Sequence, residues 1–153
     1  MQAAFYKGNR TGINWIYNKG VKFIDRGPYS HCEIIFSNGV SASSSFSDGG
    51  VRFKEILYDE KKWDFFSLPD KLEEQAFDWF TAHKGLPYDI KGNIRFILPI
   101  INDNKVGYFC SEAFGYSLGW SEAWRFGPNG AAALLKPMYG SEQCNLKTIS
   151  MKK

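Results

Sequence analysis

The chain has 153 residues, 44% of them hydrophobic, 17% aromatic and 23% charged, a balance that supports one buried core and excludes a disordered or fibrous chain. Its net charge is +3, with Lys and Arg scattered apart from the terminal KTISMKK, so a dedicated nucleic-acid binder is not expected. No run approaches the roughly 18 apolar residues that span a bilayer, and MQAAFYKGNR has no apolar signal core; a cytoplasmic protein without a transmembrane segment is expected.

Residues 1 to 28 hold the short apolar pieces NWIYN and VKFI before the turn signal DRGP, and read as a short strand or helical turn plus a loop. CEIIF at 32 to 36 reads as a strand, SNG at 37 to 39 as a hairpin turn, and VSASSSF as the returning strand. After the loop SDGG, VRFKEIL alternates as a half-buried strand does, and WDFFSL follows as another. Four strands in series predict an antiparallel meander.

From Pro69 the period changes. Leu72, Ala76, Trp79 and Phe80 share one helical face, acidic residues crowd the first turns, and Gly85 follows the end. LPYDIKGN is a loop, and IRFILPII, interrupted by Pro99, reads as a helical turn and buried connection. A second helix is predicted from Cys110 to Gly119. Beyond it Gly127, Pro128, Gly130 and Pro137 surround a short AAALL piece, and residues 141 to 153 read as a polar tail. With no repeat and no linker, residues 1–153 form a single domain of the α+β class, and nothing in them speaks to oligomeric state.

Cys32, Cys110 and Cys144 form no CxxC pair, and two histidines with three isolated cysteines offer no zinc spacing. No disulfide framework, metal or cofactor is expected. Cys110 at a helix start would meet unpaired N–H groups and the positive end of the helix dipole, which lower a thiol pKa from about 8.5; it reads equally as a small buried hydrophobe. His31 begins a strand, where an imidazole can face a cleft, although a lone histidine is more often structural; His83 reads as a favourable charge at a helix end. A cysteine together with a histidine has catalytic meaning, because thiol chemistry needs a base in reach and a third group to hold it.

The order of a histidine opening YSHCEIIF, a hairpin, further strands, a helix, the GLPYD loop and a cysteine in YFCSE resembles the circularly permuted branch of the NlpC-type papain-like hydrolases, the YiiX-like group, with lecithin retinol acyltransferases as more distant relatives. The resemblance spans roughly residues 28 to 120 and includes a proline-containing segment downstream. It implies a papain-like α+β fold in which an antiparallel meander packs against a few helices. Cys110 is then the nucleophile and His31 the general base and later acid, while backbone N–H groups at the start of the Cys110 helix hold the oxyanion.

The third position departs from that pattern, since VSASSSF offers Ser41, Ser43 and Ser45 and no carboxylate. Glu33 is the leading substitute, because residues two apart on a strand project to one side; it reads as well as an exposed strand carboxylate. Ser43 or Ser45 is the fallback, and Glu112 fits the helix N-terminus better than the imidazole. Tyr29, Tyr88 and Asp89 are candidates to line the cleft with Ser43 and Ser45, although Tyr88 and Asp89 read equally as a packed ring and a capped loop. Cys32 should point away from His31, buried and inert, and Cys144 should lie idle in the tail.

The function that the resemblance implies is a cysteine hydrolase of an amide bond, with a cell-wall peptide as the substrate class and a bacterial or phage origin. Such a protein would be released on lysis or carried on a particle. The same layout serves lipid acyl transfer, thioester hydrolysis and protein-directed proteolysis. A papain-like binding or inhibitory module without turnover is the competing class, favoured by the missing carboxylate on VSASSSF.

Overall fold

A computed structural model describes residues 1–8, 27–90 and 107–146. NWIYN, VKFI, IRFILPII and the last seven residues lie outside them. The described elements are β1 (Gln2–Tyr6), β2 (His31–Ile35), β3 (Ser41–Ser45), β4 (Gly50–Lys54), β5 (Trp63–Ser67), α1 (Glu73–His83), α2 (Cys110–Ser117), α3 (Pro128–Tyr139) and β6 (Gln143–Cys144). The class is α+β: one six-stranded antiparallel sheet, ordered β4-β3-β2-β1-β5-β6, with three α-helices among the described residues. No helix among them is long and apolar enough to cross a membrane.

The expected four-strand meander holds only for β2, β3 and β4. The chain then crosses the sheet, and β5 pairs with β1 rather than with β4, running Gln2 opposite Ser67 to Tyr6 opposite Trp63. β1 also pairs with β2, from Gln2 opposite Ile35 to Tyr6 opposite His31, so the segment read as a short strand or helical turn lies inside the sheet. QAAFY is buried at every position, and a strand covered on both faces loses the alternation by which a half-buried strand is recognised. The segment read as a polar tail begins with β6, which extends the sheet beside β5.

Strand alternation sorts side chains onto two faces. Ala3, Phe5, Cys32, Ile34 and Ala42 join the core formed with Ala76 and Phe80 of α1, Ala113 and Phe114 of α2, and Leu135 of α3. Ala4, Tyr6, Ile35, Trp63 and Phe65 form a smaller cluster on the opposite face, covered by Tyr58. On α1 the predicted stripe behaves as expected: Ala76 and Phe80 are buried, with Leu72 and Trp79 packed at the core margin. Of the residues that read as breaks, Gly127 and Pro128 mark the start of α3, whereas Gly130 and Pro137 lie inside it; Gly140 closes the helix at φ 65°.

The GLPYD loop is stitched between β4 and the approach to α2. Val51 N–H donates to the Leu86 carbonyl at 2.9 Å, and Tyr108 N–H donates to the Pro87 carbonyl at 3.2 Å. Glycine is required on both sides of it. A Cβ at Gly50, whose φ is +150°, would strike the Leu86 carbonyl oxygen, and one at Gly107 would strike that of Pro87.

Phe114 seats α2 on the sheet, 1% exposed, with ring centroids 5.6 Å from Phe5 and 6.1 Å from Trp120. Phe114→Ala should lower the unfolding free energy by about 3–5 kcal/mol in urea titration, whereas Leu57→Ser, at a fully exposed position, should change it by under about 0.5 kcal/mol.

Candidate active site

β2 and β3 pair only at Ile34–Ala42 and Ile35–Ser41, and towards His31 the two strands part. Ser43 Oγ donates to the Cys32 carbonyl at 2.7 Å, supplying by a side chain what the ladder no longer supplies there. α2 begins beside this gap, and Ser44 Oγ donates to the Tyr108 carbonyl at 2.5 Å, tying β3 to the residues that lead into the helix. Cys110, the first residue of α2, therefore meets both faces of β2: it is hydrogen-bonded to His31 and to Cys32, neighbours that point in opposite directions.

His31 is fixed from several sides. Ser30 N–H donates to the Tyr6 carbonyl at 3.0 Å. Asn129 of α3 clamps the main chain of Tyr29, accepting from its N–H at 2.8 Å and donating to its carbonyl at 2.9 Å. The imidazole lies edge-on to Trp63 at 6.2 Å between centroids, and its Nε2 is 2.7 Å from Glu33 Oε1. That contact leaves Nδ1 as the nitrogen for the thiol. Cys110 and His31 are 4% and 7% exposed, which keeps bulk water away from the pair.

Behind Glu33 stands Arg52 of β4. Its Nη1 and Nη2 donate to Glu33 Oε2 and Oε1 at 2.6 and 2.5 Å, and its Nε donates to Asp48 Oδ2 at 2.8 Å. Lys54 Nζ donates to the other Asp48 oxygen at 2.8 Å. Arg52 is register partner to Ser43 of β3, so its side chain crosses over the small serine to a carboxylate two strands away, about 9.5 Å in strand spacing. The SASSS run leaves the room for that crossing.

The electrostatics follow from these contacts. The hydrogen bond from the Cys32 thiol, the His31 imidazole and the Cys32 N–H together hold Cys110 well below the usual thiol pKa, against burial, which opposes ionisation. Burial would push His31 down; hydrogen bonds to Cys110 and Glu33 outweigh it and raise the pKa to about 9. Burial likewise opposes ionisation of Glu33, and the bonds from Arg52 and His31 overcome it, keeping the carboxyl below its ordinary range. These contacts favour thiolate, imidazolium, carboxylate and guanidinium, in sequence, as the resting charges of the site.

Of the residues predicted for the site, Cys110, His31 and Glu33 are brought together. Tyr29 directs its hydroxyl to Asp64 Oδ2 at 2.9 Å, and burial with this contact raises its pKa. Ser43 serves the Cys32 carbonyl, and Ser45 Oγ lies 3.0 Å from Ser47 Oγ. Tyr88 bridges to Tyr108 and packs on Phe46 at 5.8 Å; Asp89 N–H donates to the Tyr108 carbonyl at 3.2 Å. Both therefore border the approach to Cys110 through the main chain. Sequence reasoning missed Arg52, Asp48, Asn129 and the part played by Cys32. The signal for Arg52 was present in VRFKE, whose alternation sets Arg52 and Lys54 on one face opposite a strand of serines.

Cys32 is buried as expected, yet it faces the Cys110 sulfur instead of standing idle. Cys32→Ala should slow iodoacetamide alkylation of Cys110 at pH 6 by about tenfold, equivalent to ~1.4 kcal/mol for a lost hydrogen bond to a charged acceptor. Cys32→Ser, which keeps a donor, should retain most of the rate; equal rates in all three proteins would remove Cys32 from the site. No protein-family model matches the chain and no curated protein matches it, which leaves the chemistry of this constellation as the guide to function.

Proposed function

We propose that the chain is a cysteine hydrolase that cleaves an amide bond through a thioester intermediate, in a permuted papain-like arrangement. The observation that carries this reading is the Cys110 thiol at the start of α2, bonded to an imidazole whose second nitrogen rests 2.7 Å from a buried carboxylate. A nucleophile, a base and a group that orients the base are the three parts thiol catalysis needs.

The Cys110 thiolate attacks the substrate carbonyl carbon, and negative charge moves to the carbonyl oxygen. The first turn of α2, which has no side-chain cap at Phe109, offers main-chain N–H groups and the positive end of its dipole to that oxyanion. His31 as imidazolium gives a proton to the leaving amine, and the carbon–nitrogen bond breaks. The neutral imidazole then takes a proton from water, which attacks the thioester and releases the acid. Cys110 leaves as thiolate and His31 is again protonated, so the site returns to its resting charges. Glu33 holds the ring throughout.

The order of histidine before cysteine is that of the permuted branch, whose wider superfamily suggests a cell-wall peptide as substrate and a bacterial or phage setting. The inactive binding module drew its support from the absence of a carboxylate on β3. Glu33 on β2 occupies that role from the neighbouring strand, which favours turnover.

Cys110→Ser and His31→Ala should each abolish amine release from peptidoglycan fragments, at least about a thousandfold, while circular dichroism and melting stay near those of the unsubstituted protein. Iodoacetamide should label Cys110 ahead of Cys32 and Cys144 well below pH 8, and more slowly in His31→Ala. Because the imidazolium is the acid for the leaving group, kcat/KM should fall as pH rises through about 9. Equal labelling of the three cysteines across pH would sink the reading.

A further inference from the structure

Arg52 lies one step beyond the groups a substrate could touch. Glu33, which it holds, is 1% exposed, and an ionised carboxylate at that depth is costly unless it is paired in good geometry. The guanidinium meets this condition with two parallel bonds, one to each oxygen, while Oε1 also faces His31 Nε2. Arg52 is itself anchored, since Asp48 takes its Nε and Lys54 takes the other Asp48 oxygen. From the buried sulfur to the half-exposed Lys54 ammonium, the six groups alternate in sign.

We propose that Arg52 is a positioning residue for the Cys110–His31 pair: through Glu33 it holds the imidazole in one orientation and sets the pH range over which Cys110 is a thiolate. The consequence for turnover rests on the hydrolase reading above, but the coupling of charges belongs to the resting protein and can be measured without substrate.

Without Arg52, a Glu33 that stays ionised is an uncompensated negative charge near the sulfur and moves thiolate formation to higher pH. A Glu33 that takes up a proton no longer orients the imidazole, and the loosened ring weakens the hydrogen bond that favours the thiolate. The other groups facing this row do not replace the guanidinium. Tyr58, bonded to Ser41 Oγ at 2.8 Å, is held neutral by burial and by the Glu33 charge. Lys54 reaches Asp48, and Cys32 faces the sulfur from the helix side. Lysine could carry the charge but not the fork, because a single ammonium cannot bond both carboxylate oxygens in parallel.

The test is the pH profile of Cys110 alkylation by iodoacetamide in the full chain, read by peptide mass spectrometry. Arg52→Met should raise the midpoint by about one pH unit, and Arg52→Lys should raise it by less. In a Glu33→Gln background, Arg52→Met should shift the midpoint by less than half as much, since Arg52 acts through that carboxylate. A folded Arg52→Met with an unchanged midpoint, or an equal shift in both backgrounds, overturns the proposal while leaving the hydrolase reading in place. An ordinary thiol midpoint in the unsubstituted protein overturns both. If Arg52→Met does not fold because it strands the Glu33 charge, Arg52→Lys decides, and an unchanged midpoint there counts against the proposal.

Discussion

A carboxylate that is both buried and ionised has to be surrounded by donors, and the arrangement of this molecule around Glu33 follows from that requirement. The group sits on the sheet face opposite the helices, with an imidazole on one side and a guanidinium on the other. It can be charged there only because β2, β3 and β4 lie side by side in register, and because β3 presents a serine where a larger residue would block Arg52. A low-dielectric setting strengthens these contacts and makes the loss of the guanidinium, the charge that balances Glu33, expensive. The serine-rich strand, featureless as a sequence, is a spacer for a salt bridge.

The second constraint is the parting of β2 from β3. A fully paired ladder would occupy the N–H and carbonyl of Cys32 and would place His31 and Cys32 on opposite sides of a closed sheet. Because the ladder stops after two pairs, Ser43 serves the freed carbonyl and the Cys32 N–H turns to the Cys110 sulfur. One thiol can then touch an imidazole on one face and a second thiol on the other. The start of α2 adds its dipole at the same point. Three independent sources of positive potential therefore converge on a single sulfur.

This arrangement suits the chemistry proposed for it. A thiolate paired with an imidazolium carries no net charge as a unit, and a carboxylate paired with a guanidinium carries none either, so the buried row is neutral overall at rest. When a thioester forms, the thiolate charge is consumed and the imidazolium proton leaves with the amine, and the row is neutral again. Neutrality at both stages avoids the cost of a lone buried ion, which is the physical advantage of having Arg52 behind Glu33.

Read alone, the chain determined the α+β class, the α1 face of Ala76 and Phe80, the β2–β3 hairpin, the helix starting at Cys110, and the candidates His31 and Glu33, because each is a local pattern of period, turn or charge carried by neighbouring residues. Its reading of four strands as one meander missed the order that seats β1 inside the sheet between β2 and β5, since a strand buried on both faces has no alternation to display. It was silent on Arg52 and Asn129 as parts of the site, and it read Cys32 as inert. Their partners lie 19, 100 and 78 residues away in sequence, as Glu33, Tyr29 and Cys110 show. Contacts at such separations depend on sheet register and helix docking, which only the tertiary structure decides.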